Sequence, residues 1–308
     1  MHQPTFLPDK VGRYAFAALI AANLFLSLGP WMVRLADVGP VAAGFWRLAL
    51  AIPLLLLLAG RSSLALLPEP RLILLVGAGG LFFAADLAAW HYGIVRTKLA
   101  NATLFGNMSS FIFALYGFVL MRSWPRPAQT AALGLAALGT ALLLGSSYEL
   151  SPRQFAGDLF AILAGIFYAF YLIAIDRARQ ALAPLPVLAL ATVAGVLPLL
   201  LSALLLGEKV MPGHWTPLIL LSLGSQVIGQ GLLVYAIGHL KPVVIAIGLL
   251  TQPAVTALIG WLAYGEAFGT ADAAGALLIC LALVLIRLPP RLASAAREPH
   301  LEGDRSPP

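Results

Sequence analysis

Two ionisable side chains stand deep inside long apolar runs, and their chemistry poses the first question. Arg47 follows Pro40 by seven residues, so a helix starting there carries it roughly 10 Å into an apolar layer. Asp86 precedes Tyr92 by six residues, which places it roughly 9 Å in from the same face. A charge at the centre of a membrane helix costs about 2.5–3.5 kcal/mol on insertion scales, so each requires a reason. Two readings are open. In one, Arg47 and Asp86 pair with each other, lower both desolvation costs and lock two helices together. In the other they meet the opposite charges of a cargo, Asp86 an amine or a competing proton and Arg47 a carboxylate. Trp90 lies one turn from Asp86 on the same face, an aromatic wall suited to an organic ammonium group.

Polar residues recur at helical spacing elsewhere. Thr103, Asn107 and Ser110 share one face, and Ser222, Gln226 and Gln230 form a second stripe at i, i+4 and i+8. Such rows either hydrogen-bond between helices, with Gly106, Gly224 and Gly229 allowing close approach, or line an aqueous cavity. Gln252 stands before Pro253, and a proline within a helix frees the carbonyl four residues back, so a bend is expected there. Asn23 and Ser27 precede Gly29, Pro30 and Trp31. Gly29 and Pro30 mark a helix break, read either as a gate hinge or, preferably, as the anchored end of the helix at the interface. Phe82, Asp86 and Trp90 lie at i, i+4 and i+8, and Phe167, Tyr168, Phe170 and Tyr171 form a second aromatic group. Tyr168 and Trp90 are the aromatic contacts expected for a cargo; His91 is expected at the interface.

Other chemistries lack their residues. There is no Gly-x-x-x-x-Gly-Lys-Ser/Thr run for nucleotide phosphates and no His-Glu-x-x-His or Cys/His cluster for a metal, so no cofactor is expected. The scattered serines supply no nucleophile and base set, and the chain reads as a non-enzyme. Cys280 is the sole cysteine.

The elements that position these residues follow from composition. Of 308 residues, 60% are hydrophobic and 10% charged, against roughly 25% charged in a soluble domain. So few charges cannot clothe a water-soluble surface, and the solvent must mostly be lipid. Apolar runs of about 20 residues, the length that crosses hydrocarbon, occur at 14–34, 39–59, 71–93, 99–121, 128–146, 156–176, 185–206, 215–237, 242–264 and 270–288. The first is longer than a signal-peptide apolar region and is expected to remain as a membrane helix. With the N-terminus inside, the cytoplasmic segments hold Lys10, Arg13, Arg61, Arg71, Arg122, Arg126, Arg177, Arg179, Lys241, Arg287, Arg291, Arg297 and Arg305. The opposite face holds only Arg34, Arg96, Lys98, Arg153 and Lys209. The positive-inside rule therefore places both termini in the cytoplasm and accounts for the net charge of +6 without a nucleic-acid partner.

The chain also matches itself at an offset of 143 residues, pairing Arg34 with Arg177, Tyr92 with Tyr235, Lys98 with Lys241 and Gly117 with Gly260. The apolar runs coincide under the same shift. Five spans per half is an odd number, so the halves enter the membrane in opposite orientations. The expected fold is an all-α integral membrane protein of ten transmembrane helices in two inverted five-helix repeats. Residues 1–13 form a cytoplasmic segment, 14–146 the first repeat, 147–155 a linker, 156–288 the second repeat and 289–308 a polar tail expected to be disordered.

Several motifs in this frame carry a family resemblance: Phe45-Trp46-Arg47-Leu48, Gly157-Asp158-Leu159, and Gln252-Pro253 through Gly260-Trp261 to Gly265-Glu266. Over about residues 14–288 the chain resembles the drug/metabolite transporter superfamily, in its ten-helix branch with two EamA-like repeats. The resemblance implies a secondary carrier in the inner (plasma) membrane that alternates access without ATP, often an exporter of amino acids or other small metabolites. The sequence departs from it in places. Pro253 aligns with Ser110, Gly265-Glu266 aligns with Arg122-Ser123, and the first span lacks the carboxylate that the superfamily's four-helix drug exporters use. The expected cavity draws on spans one, two, three, four, six, eight and nine. Arg47 and Asp86 are expected to meet the charges of a small zwitterionic cargo, Asn23, Asn107, Gln226, Gln230 and Gln252 its polar groups, and Trp90 and Tyr168 its apolar part. The chain's partners are a small-molecule cargo, with a coupled proton as an option, and lipid, in a monomer or homodimer. A cationic drug, a nucleotide sugar or another metabolite as cargo, or a scaffold or sensor role, are the alternatives.

Overall fold

The computed structural model describes residues 10–60, 69–97, 99–122, 125–145, 152–265 and 270–287. Within them the chain makes ten helical rods. Span one is Lys10–Leu35, span two Pro40–Ala59 and span three Pro70–Ile94. Span four is built from Leu99–Gly106 and Met108–Met121, and span five is Pro127–Gly145. Span six is Pro152–Ala178. Spans seven and eight are Pro184–Leu205 and Thr216–Ile237. Span nine joins Pro242–Leu249 to Gln252–Tyr264, and span ten is Thr270–Arg287. Spans one, two, three, six, seven, eight and nine are each long and apolar enough to cross a membrane. The tail 289–308, most of the 147–155 linker, and Arg61, Lys98, Ser123 and Glu266 lie outside the described residues. The linker's last residues, from Pro152, are already helical.

Proline places several starts. Spans two, three, seven and nine each carry Pro in their first turn, where the missing N–H has no intrahelical acceptor and the fixed φ suits a helix. The repeat is visible in where helices fail. Span four breaks at Asn107 and span nine at Leu250–Thr251, positions that coincide under the offset of 143. The halves therefore share a central break although only span nine has a proline there. Both broken spans end in a left-handed residue, Arg122 (φ 46°) and Gly265 (φ 62°). Among the described residues Arg122 is the sole non-glycine with positive φ. Because a side chain is strained in that region, Arg122→Gly is expected to raise stability by about 1 kcal/mol, read as a higher thermal midpoint of the purified protein.

Three local readings need correction. Pro30 does not end span one: the helix breaks at Leu28 and resumes at Gly29 with Pro30 in its first turn, running on to Leu35. The stripe in span eight does not lie on a regular α-helix, since Leu221–Gly229 is a π-helix, a wider turn that recurs at functional sites. His91 is not interfacial. It is fully buried, its Nδ1 2.9 Å from the Pro40 carbonyl oxygen, against the Cβ-less surface of Gly44.

At the end of the bundle where spans one and two meet, the 206–215 connection is bound to the start of span two. Glu208 accepts a hydrogen bond from the Ala42 N–H at 2.8 Å, and Trp46 Nε1 donates to the Val210 carbonyl at 2.7 Å. Asp37 accepts from Lys209 Nζ (2.9 Å) and from the Gly213 N–H (2.7 Å). These donors, Lys209 first, hold the Asp37 carboxyl at about 2, below its ordinary 3.8. Its depressed value means that the contact is complete above pH 3.8 and is lost as pH falls through about 2. Amide exchange at Gly213 and His214 should therefore accelerate over that acid window and not above it.

Candidate functional site

A cavity opens at the level of the two helix breaks. It is lined by Leu26, Arg47, Phe83, Asp86, Leu87, Trp90, Thr103, Gly106, Asn107, Ser109, Tyr168, Gln230 and Gln252. These residues come from spans one, two, three, four, six, eight and nine. Its cavity volume is about 50 Å³.

The two intramembrane charges both face this space, but they do not form the expected ion pair. Arg47 and Asp86 are not joined by any contact within 4.0 Å. Arg47 Nε instead donates to Gln226 Oε1 at 3.1 Å, and its guanidinium lies over the Phe83 ring at 5.6 Å. The reason is a relay of hydrogen bonds. Thr192 commits its proton to the Leu188 carbonyl (2.7 Å), so its oxygen accepts from Gln226 Nε2 (3.0 Å). That turns the Gln226 carbonyl toward Arg47. Gln226 is thus a fully buried positioner behind the cavity, not part of its wall. Asp86, 8% exposed, has no hydrogen-bond or ion-pair partner among the described residues and turns its carboxylate to the cavity.

The polar wall opposite is assembled by the two breaks. In span four, Asn107 Nδ2 donates to the Thr103 carbonyl (2.7 Å) and Thr103 Oγ1 to the Leu99 carbonyl (2.8 Å). The break shifts the phase of the next segment, so Ser109 lines the cavity while Ser110 is buried with its Oγ unpartnered. In span nine, Asn23 Nδ2 donates to the Gly248 carbonyl at 2.8 Å. That carbonyl lies at the interruption before Pro253, and Asn23 Oδ1 accepts from Gln252 Nε2 at 3.0 Å. Asn23 therefore ties span one to the break and orients Gln252, which reaches the cavity; Asn23 itself does not line it.

Span six supplies Tyr168, whose hydroxyl accepts from Gln230 Nε2 at 3.2 Å. Tyr168, Tyr171 and Phe83 stack in series, with centroids 5.5 and 4.5 Å apart. Spacing alone does not single out Phe83, which lines the cavity. Phe82 instead turns outward and stacks on Phe170 at 5.1 Å. Gln230 Oε1 and Tyr171 Oη are buried without a protein partner. Ser222, at the far end of the same stripe, is buried away from the cavity. Trp90 Nε1 donates to the Ala102 carbonyl at 3.3 Å and packs on Gly106, where a Cβ would stand 3.2 Å from that nitrogen. The indole is fixed one turn from Asp86. Among the described residues no group of three or more His, Cys, Asp or Glu gathers at metal-binding distance.

The cavity presents a guanidinium, a carboxylate without a hydrogen-bond partner among the described residues, amide groups and an aromatic wall.

Comparison with known proteins places the fold in a group. A solved chain described as "Crystal structure of protein" superposes with a TM-score of 0.71 at 20% identity, covering 90% of this chain and 96% of that one. No curated protein matches the chain. A family model described as EamA-like transporter family matches twice, over residues 13–145 and 155–288. The two matches fall on the two five-helix repeats that surround the cavity, and the chain belongs to the EamA-like transporter family.

Proposed function

We propose that this multi-pass transporter is a secondary carrier of a small zwitterionic metabolite, with amino-acid export the leading assignment, working by alternating access in the inner membrane with both termini cytoplasmic. One observation carries the reading. Arg47 and Asp86 line one cavity and share no salt bridge within 4.0 Å, so both side chains stand open to a ligand. A zwitterion supplies both opposite charges at once, which offsets the cost of holding them in an apolar layer. Asp86 and Trp90 would receive the ammonium group and Arg47 the carboxylate. Asn107, Gln230 and Gln252 would hydrogen-bond its polar atoms, and Tyr168 would contact its apolar part. Asn23 and Gln226 set the orientation of Gln252 and Arg47.

The test is counterflow in proteoliposomes with a panel of labelled amino acids, with and without a proton gradient. Exchange of at least one amino acid, saturable and abolished by excess unlabelled compound, is the expected result. Exchange of an organic cation or a nucleotide sugar while every amino acid fails would remove the cargo assignment.

A further inference from the structure

The cavity lies between two arginine-centred contacts at opposite ends of the bundle, and the repeat exchanges one for the other. At one end Arg34 closes span one. Its guanidinium donates to the Thr97 and Ile94 carbonyls at the end of span three, at 3.2 and 3.4 Å. It also lies 5.2 Å from the ring centroid of Tyr264, the last helical residue of span nine. Arg34 therefore draws together spans one, three and nine, each of which lines the cavity deeper in through Leu26, Asp86 or Gln252.

At the other end Arg177 closes span six. Its Nε donates to Tyr116 Oη at 2.9 Å, and the hydroxyl in turn donates to Asp176 Oδ2 at 2.9 Å. The same guanidinium lies 5.7 Å from the Tyr116 centroid. Two residues on, Arg179 Nε donates to the Val234 carbonyl near the end of span eight, at 2.9 Å. Spans six, four and eight are thereby tied, and each lines the cavity through Tyr168, Asn107 or Gln230. Under the offset of 143, Arg34 coincides with Arg177, and spans one, three and nine exchange with spans six, eight and four.

We propose that these are two reciprocal latches: Arg34 with Tyr264 and the end of span three closes the cavity on one face, and Arg177 with Tyr116 and Asp176 closes it on the other. In an inverted repeat, rocking one half against the other loosens one end as it tightens its counterpart. The Arg177 end is closed by a continuous hydrogen-bonded series, and the Arg34 end borders a second cavity lined by Val33, Val38, Ile94 and Tyr264. Weakening the Arg177 latch must then favour opening at its own face, and weakening the Arg34 latch the reverse. This rests on the carrier reading, yet its test needs no cargo, so failure of the latches and failure of the cargo assignment are separate results.

The experiment is thiol accessibility in a Cys280→Ser background with Ser109→Cys as the cavity reporter. A membrane-impermeant maleimide is applied to each face of sealed vesicles. Tyr116→Phe keeps the ring and its stacking on Phe113 but removes both hydrogen bonds. It should raise labelling from the Arg177 face about five-fold and lower it from the Arg34 face. Arg34→Gln should give the mirror result. If Tyr116→Phe elutes as aggregate, Arg177→Lys, which lacks the Nε–H, replaces it with the same expectation. Labelling that is unchanged, or that moves in the same direction at both faces, overturns the proposal.

Discussion

Asp86→Asn should cut transport at sub-saturating cargo by about 10- to 100-fold, the range expected for losing one charged hydrogen bond, while leaving the protein at least as stable as the wild type. The two halves of that expectation come from the same geometry. Asp86 has no protein partner among the described residues, so removing its charge breaks no ion pair and relieves the burial of a carboxylate. A static Arg47–Asp86 bridge predicts the opposite for stability, because breaking one leaves an unpaired buried charge and costs about 3–5 kcal/mol. Thermal unfolding and initial transport rates measured on one preparation separate the two accounts. A large drop in melting temperature with unchanged transport would make Asp86 structural.

The other large effect concerns the helix that carries Asp86. Gly80 packs so closely on span seven that a Cβ there would run into the Ala191 carbonyl and stand 2.8 Å from Ala194 Cβ. Gly195 answers from the other side, where an added Cβ would meet the Gly80 carbonyl at 3.0 Å. Both obstacles include backbone, which cannot turn aside as a side chain can. Gly80→Ala must therefore push spans three and seven apart, with an expected loss of about 1–3 kcal/mol from overpacking. It also displaces Asp86 and Phe83, which lie within two turns. Gly77, one turn earlier on the same helix, has nothing within 4 Å of an added Cβ. Gly77→Ala should be neutral or stabilising by up to about 1 kcal/mol, the helix propensity difference. Comparing the two melting temperatures isolates packing from propensity, and equal effects would contradict the close contact.

Much of the architecture was legible because lipid imposes simple rules. Run length marks the spans, the odd number per half imposes inversion, and a charge in an apolar run is conspicuous because it is costly. Arg47 and Asp86 stood out on that ground, and both line the cavity. What failed was phase. Helical spacing assigns faces correctly only while the helix is regular, and the site is built where regularity stops. The break at Asn107 exchanges Ser110 for Ser109 at the wall. The π-helix splits the span eight stripe, leaving Gln230 at the cavity, Gln226 behind Arg47 and Ser222 buried elsewhere. Phe82 and Phe83 differ by one position and no local signal chose between them; the choice is made by Tyr171 stacking on Phe83. His91 departs from its expected place for a related reason: nearness to a span end suggests water, but span two crosses over it at Gly44. Asn23, polar and deep, suggests a cargo contact, whereas its amide satisfies the Gly248 carbonyl at the break.

The most direct test of the central claim pairs variants with altered cargo. For the amino acid that exchanges fastest, competition is measured for its deaminated acid and its decarboxylated amine, against wild type, Asp86→Asn and Arg47→Gln. If Asp86 receives the ammonium group and Arg47 the carboxylate, wild type prefers the intact zwitterion. Asp86→Asn then loses its preference over the deaminated acid alone, and Arg47→Gln loses its preference over the amine alone. Equal weakening of all three compounds in both variants would contradict the account, because the two charges would then be shaping the cavity without meeting the cargo.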